Sequence, residues 1–368
     1  MNLRRLHNVA TYMEAVTTKV RPMTAAAQIA AVALEFPSHR HSQDEVVSTL
    51  ARLAGPEFLR FAASSGVESR HLALPIERYA ELTGFTEANE AYLEVALELG
   101  ERALLSALDA ANMKPSDVDI VFSTTVTGLA VPTLEARLAS RIGLRPDVRR
   151  IPLFGLGCVA GAAGVARMND YLRAYPDQVA ALLAVELCSL TIQRDDNSMA
   201  NLVASSLFGD GAGVVIATGA DRAGTGPRVL ASRSRLYPDT ESVMGWNIGT
   251  DGFKIVLSAE VATVADKYLG EDVGLFLADH GLTTADISTW VCHPGGPKVI
   301  EAVERALELP ADALDHTRNS LRDNGNLSSV SVLDVLRATM AAPPAAGSLG
   351  MMIAMGPGFC SELVLLGW

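Results

Sequence analysis

Short apolar runs and longer amphipathic ones alternate along most of this chain, and the alternation predicts strands and helices in turn. Gln28-Ile-Ala-Ala-Val-Ala-Leu-Glu-Phe-Pro37 is the first expected strand. Thr86 to Asn112 has the spacing of an amphipathic helix, and Pro115 to Thr125 reads as a turn followed by a strand. A second helix follows Pro132. Arg150-Ile-Pro-Leu-Phe154 begins an apolar stretch bounded by turn residues, which predicts a buried strand. Val159 to Tyr175, rich in small residues and free of proline, is the helix behind it. Val179 to Glu186 is another strand, and Gly209 to Thr218 a tight turn into a strand. Strands alternating with helices predict an α/β chain with a mostly parallel sheet covered on both faces.

Beyond the turn-rich segment Arg222 to Pro227 the same pattern returns. Leu108 to Val121 lines up without gaps on Leu277 to Trp290: each is a helix end, a turn, an aspartate and then a strand. The identities are few, but the match suggests two similarly folded halves. The expected organisation is therefore an extension over 1–22, a first half over 23–221 and a second half over 228–368. Arg4 and Arg5 have no apolar run behind them, so the start of the chain is a poor signal peptide.

Composition narrows the function classes. The chain has 368 residues, 49% apolar and 20% charged, which suits a globular enzyme with a large core. A net charge of −12 disfavours nucleic acid and anionic membranes as partners. No apolar stretch has the length of a membrane span. Cys158, Cys188, Cys292 and Cys360 lie far apart and form no C-x-x-C pair. That predicts reduced thiols of a cytoplasmic protein, not a disulfide framework or a zinc site. The glycines at Gly209-Asp-Gly-Ala-Gly213 lead into a strand instead of a helix, which argues against a dinucleotide site.

Three polar residues fall at strand or helix ends, where open α/β sheets place their chemistry. Cys158 sits at the junction of strand and helix. Unpaired N–H groups and the positive end of the helix dipole there favour thiolate over thiol. His293 ends the apolar strand of the second half, before Pro-Gly-Gly-Pro297. Asn326 lies in Asp323-Asn-Gly-Asn-Leu-Ser-Ser329, ahead of a helix over Val330–Met340 with Ser328 or Ser329 as the expected N-cap. An imidazolium beside the cysteine would hold an ion pair, and the Asn326 amide could donate to a developing oxyanion. Each residue also has a bland reading: a small core cysteine, a strand-end histidine, a turn asparagine. Together they specify acyl chemistry on a thiol.

With these motifs in place the sequence resembles the type III polyketide synthases, the chalcone synthase-like family of the thiolase fold. The resemblance covers nearly everything after about Met23 and rests on Gly157-Cys158, Leu207-Phe-Gly-Asp-Gly211, His293-Pro-Gly-Gly-Pro297, Gly325-Asn-Leu-Ser-Ser329 and Gly356-Pro-Gly358. Within the family, Leu156 to Gly164 and Val185-Glu-Leu-Cys-Ser189 are most similar to actinobacterial long-chain alkylpyrone synthases. It implies a duplicated five-layer αβαβα fold, a homodimer, and Cys158, His293 and Asn326 as the catalytic triad. It makes Phe208 one gatekeeper and puts Ile255 at the other, and places Cys188, Thr191, Trp246 and Ser328 around the substrate. Arg60 matches a basic CoA-contact position, whereas Glu57 and Ser64 depart from the basic residues expected beside it.

The implied reaction loads an acyl-CoA onto Cys158, decarboxylates malonyl-CoA with help from His293 and Asn326, and condenses the two. It implies no metal and no redox cofactor; the CoA thioesters are substrates. Ile255, in place of an aromatic ring, predicts a preference for fatty acyl-CoA starters and alkyl-α-pyrone products. The alternatives are a β-ketoacyl-carrier-protein synthase III-like enzyme, which would differ after the histidine, a Cys-His-Asn thioester hydrolase, and a non-catalytic scaffold.

Overall fold

The computed structural model describes residues 26–368 apart from 55, 195 and 223, and the side chains of 50–57 lie outside the description. The expected extension over 1–22 falls outside the described residues. The first half contributes strands β1 (Gln28–Glu35), β2 (His39–Ser42), β3 (Ser69–Leu72), β4 (Ile120–Thr125), β5 (Arg149–Phe154), β6 (Val179–Leu187) and β7 (Asp210–Thr218). The second contributes β8 (Arg228–Leu236), β9 (Met244–Gly249), β10 (Gly252–Leu257), β11 (Ile287–Cys292), β12 (Leu349–Gly356) and β13 (Cys360–Gly367).

Nine strands run in the order β11-β12-β13-β8-β1-β7-β6-β4-β5. A single pairing, Gln28 with Arg228, joins β1 to β8, so two sheets meet there at their first strands. In the first sheet β6–β4 and β4–β5 are parallel, while β1–β7 and β7–β6 are antiparallel. In the second, β12–β11 is parallel and β8–β13 and β13–β12 are antiparallel. The series β8-β13-β12-β11 thus repeats β1-β7-β6-β4 strand for strand. The mostly parallel sheet expected from the pattern is instead mixed. Antiparallel neighbours need only a short link, such as Pro357 to Phe359 between β12 and β13, where parallel ones need a crossover. The repeat reaches the turns: Lys114 N–H donates to Asp117 and Thr283 N–H to Asp286, both at 2.8 Å.

Alternation within β6 explains the layering. Ala180, Leu182 and Ala184 face a central core, and Val179, Ala181, Leu183 and Val185 face an outer one. The central core holds the helices Ala160–Ala174 and Ser331–Ala341 between the sheets. Helices Phe85–Ala110 and Leu134–Ile142 cover the first sheet outside; Val261–Ala278 and Pro297–Leu307 cover the second. The result is five layers, αβαβα. The small residues expected to serve close packing do so: a Cβ on Gly161 would lie 2.3 Å from the Ser329 carbonyl oxygen.

The strand from Arg150, expected to be buried, is exposed. It lies within β5, the outermost strand, which pairs only with β4 among the described residues. Ile151 is 39% and Phe154 51% exposed.

Candidate active site

The chain leaves β5 through Gly155 and Gly157, both at positive φ, into a short turn Gly157–Val159 and then the central helix. A Cβ on Gly157 would lie 2.7 Å from Pro357, so this turn requires glycine. Cys158 stands in the turn, buried, 3.7 Å from the Ser328 hydroxyl oxygen. Burial pushes its thiol up to about 12, and the nearby Glu186 carboxylate pushes the same way, against the Ser328 contact. The thiolate expected from the helix dipole is therefore not the resting form; desolvation outweighs the dipole.

His293 follows β11 directly and its N–H donates to the Ile353 carbonyl at 2.9 Å. Both ring nitrogens are buried with no partner among the described residues. Burial holds the imidazole down at about 4, so it is neutral near pH 7. The expected imidazolium–thiolate pair is absent in this state, and a neutral ring with a free nitrogen is a base in waiting.

Asn326 is fixed by its backbone. Its N–H donates to the Leu207 carbonyl at 2.8 Å, and its carbonyl accepts from Gly209 N–H at 3.0 Å. Its Oδ1 accepts from Ser328 N–H at 2.8 Å, which leaves the side-chain NH₂ as the free donor. A Cβ on Gly296, in the loop after His293, would lie 3.5 Å from the Leu207 side chain. The segment Leu207-Phe208 thus lies between the His293 and Asn326 loops.

Ser328 and Ser329 do not cap the following helix, whose N-cap position is Val330 with no side-chain bond. Their hydroxyls turn to Glu186 instead, at 3.4 and 2.5 Å. The other Glu186 oxygen accepts from Val126 N–H at 3.1 Å and the Thr127 hydroxyl at 3.2 Å. Burial raises this carboxyl to about 7, against the Ser329 bond. Sequence reasoning gave Glu186 no role; the signal was a lone carboxylate inside the otherwise apolar run of β6.

A cavity of about 50 Å³ opens beside Cys158. Phe208, Ile255 and Trp246 line it, as do Cys188, Thr191 and Ser328, so all six expected wall residues come together. Ile255 and Trp246 are directly paired across β9 and β10, and Phe253 meets the Trp246 ring at 5.9 Å. His293 and Asn326 are not part of this wall; Asn326 is tied to its Phe208 segment through the backbone. Arg60 lies apart, exposed on the helix Pro56–Ala63 and stacked over Phe61 at 5.1 Å. A thiol at a cavity wall, a neutral imidazole at the end of β11 and a free amide donor two residues from the Ser328 contact of the thiol are each groups suited to acyl transfer and enolate stabilisation.

Comparison with known proteins agrees. Residues 18–222 match the N-terminal domain of the chalcone and stilbene synthases, and residues 228–367 their C-terminal domain. A 1,3,6,8-tetrahydroxynaphthalene synthase of Streptomyces peucetius subsp. caesius is 53% identical over 351 residues, covering 92% of this chain and 93% of that one. A phloroglucinol synthase of Pseudomonas fluorescens is 30% identical, covering 90% and 97%. The solved structure of the 1,3,6,8-tetrahydroxynaphthalene synthase of Streptomyces coelicolor A3(2), a bacterial type III polyketide synthase, superposes with a TM-score of 0.89 at 30% identity, covering 93% and 99%. The chain belongs to the chalcone and stilbene synthase family: it is a type III polyketide synthase of thiolase-like fold, an acyltransferase that condenses malonyl-CoA with loss of CO₂.

Proposed function

We propose that this synthase builds a polyhydroxylated aromatic from malonyl-CoA units on Cys158, with tetrahydroxynaphthalene as the product. The cavity carries the reading. At about 50 Å³ it offers space for only a handful of water-sized groups, given about 10–15 Å³ of such space for each. Trp246, paired with Ile255, fills the side where an aromatic gatekeeper is lost. A small malonyl-derived starter suits such a space better than an extended alkyl starter. The names of the S. peucetius and S. coelicolor relatives support the same product.

In this reading Cys158 passes its proton to neutral His293 as the sulfur attacks the thioester carbonyl, and the departing CoA thiol takes the proton back. Malonyl-CoA then loses CO₂, and its enolate oxygen accepts hydrogen bonds from the Asn326 amide and the His293 ring N–H. The carbanion attacks the Cys158 thioester, and the longer chain, now on CoA, returns to the sulfur. Five two-carbon units account for the naphthalene carbons. No metal or redox cofactor enters these steps.

A second reading keeps a fatty acyl-CoA starter and an alkyl-α-pyrone product. It rests on Ile255 in the cavity wall and on the gain of about 0.8 kcal/mol per buried CH₂. Incubation with malonyl-CoA alone, read by mass, separates the two. The first predicts tetrahydroxynaphthalene without any added starter. Product that forms only when a fatty acyl-CoA is supplied overturns it.

We further take the protein to be a cytoplasmic homodimer with halves over 23–221 and 228–368. Among the described residues, no helix is long and apolar enough to cross a membrane. Val131, 95% exposed, and the edge of β5 with Ile151 and Phe154, unpaired among the described residues, supply an apolar surface for a second copy. A sedimentation mass of one chain at micromolar concentration would count against the dimer.

A further inference from the structure

Arg70, on β3, is only 1% exposed, yet it belongs to none of the site residues described so far. Its Nη1 donates to the carbonyls of Ser205 and Phe208, both at 2.7 Å, and its Nη2 donates to Gln43 Oε1 at 2.7 Å. Gln43 in turn donates to the Ser206 carbonyl at 2.8 Å. Three carbonyls at the end of the helix Met199–Leu207 are thereby held by one buried cation and its partner.

The helix end they hold is functional wall. Asn201 and Ala204 line the cavity from this helix, and Phe208 follows its last residue. Phe208 is bridged to Asn326 through the two backbone bonds of Leu207 and Gly209. The fit is tight: a Cβ on Gly209 would lie 2.3 Å from the Asn324 carbonyl oxygen and 3.2 Å from Arg70 Cβ. Charge balance comes from Asp210, whose carboxylate is occupied by Ala73 N–H at 2.6 Å, Ser189 N–H at 2.8 Å and the Ser189 hydroxyl. That same carboxylate anchors the turn Cys188–Thr191, the opposite cavity wall. Burial lowers Arg70 only to about 10, so it stays charged at neutral pH.

We propose that Arg70 is a positioning residue for the condensation: its guanidinium fixes the Phe208 segment and, through it, Asn326, and so sets both the enolate-holding geometry and the number of extensions the cavity permits. The inference rests on the role given above to Asn326 for its catalytic arm; the product-length arm needs only the placement of Phe208.

The test compares Arg70→Lys and Gln43→Met with the wild-type enzyme, normalised to Cys158 sites titrated with iodoacetamide. Arg70→Lys keeps the charge but not the fork of donors. The expected result is a fall of about tenfold or more in kcat for malonyl-CoA decarboxylation with KM little changed, the scale of a sub-ångström misplacement. Products should shift towards shorter polyketides, and Gln43→Met should shift them less in the same direction. Full rescue by Arg70→Lys, in rate and in product length, overturns the proposal because a merely structural charge would be satisfied. Losses in every step that scale only with the folded fraction overturn it too. If Arg70→Lys does not fold, unchanged product lengths in Gln43→Met decide against it. Asn326→Ala serves as control: full decarboxylation there removes the triad reading, while the product-length comparison still decides Arg70.

Discussion

Glu186→Gln isolates the effect of a buried carboxyl at the centre of the site. In the folded protein it titrates near 7, against an ordinary 4.5, because burial disfavours its charge. A raised carboxyl stabilises the fold fully below 4.5 and loses that contribution as pH rises through about 7. The gap corresponds to about 3 kcal/mol. Glutamine removes the titration and can keep the contacts: its oxygen accepts from Val126 N–H and the Thr127 hydroxyl, and its NH₂ meets the Ser328 and Ser329 hydroxyls, which rotate to accept. Urea denaturation of both proteins at a series of pH values measures the difference. That difference should move by about 3 kcal/mol in favour of the variant between pH 4.5 and 7.5. Titrations of His293 and Asp210 are common to both proteins and cancel. Iodoacetamide should also label Cys158 faster in the variant at pH 8, since the carboxylate charge raises that thiol. Stability curves that run parallel across this range would refute the assignment of a titrating buried carboxyl.

Cys158→Ala should abolish product, whereas Cys158→Gln should keep malonyl-CoA decarboxylation; equal loss of CO₂ release in both folded variants would contradict the division of roles. His293→Ala and Asn326→Ala should each slow decarboxylation by roughly 10²–10³-fold, the scale of one lost oxyanion donor, measured as labelled CO₂. Gly161→Ala puts a methyl 2.3 Å from the Ser329 carbonyl oxygen and should destabilise the fold by about 1–3 kcal/mol in urea, or more, as overpacked cores do. Ile255→Phe, assayed across acyl-CoAs of rising length, should lose long starters selectively if the fatty acyl reading holds; an unchanged length profile removes it.

The fold was legible because its signals are periodic or local. The apolar run of β6, the small residues of the central helix and the aspartate-closed turns at Asp117 and Asp286 each announce their element in a few residues. The gapless match of Leu108–Val121 to Leu277–Trp290 corresponds to the repeat of β4 in β11. Parallel against antiparallel pairing was not legible, since an apolar strand reads the same in either direction. Nor was the exposure of β5: its apolar residues satisfy the pattern of a buried strand, and only its place at the sheet edge leaves them uncovered.

At the site the division is between identity and state. Cys158, His293 and Asn326 could be chosen because each stands at the edge of an element within two residues of a glycine, and their motifs stand in short stretches. Their protonation could not, because it depends on partners remote in the chain. The local argument for Cys158 counted a helix dipole and an expected imidazolium; it missed the desolvation and the Glu186 carboxylate that raise the thiol. Glu186 reaches Ser329 across 143 positions, and Arg70 reaches Phe208 across 138. Neither pairing follows from spacing. Burial holds the Cys158 thiol up at about 12 and the His293 imidazole down at about 4, so both rest neutral near pH 7. In the mechanism proposed above, proton transfer from Cys158 to His293 would accompany the arrival of the thioester, whose developing charge the Asn326 amide would meet, and ionisation and substrate binding would become one event.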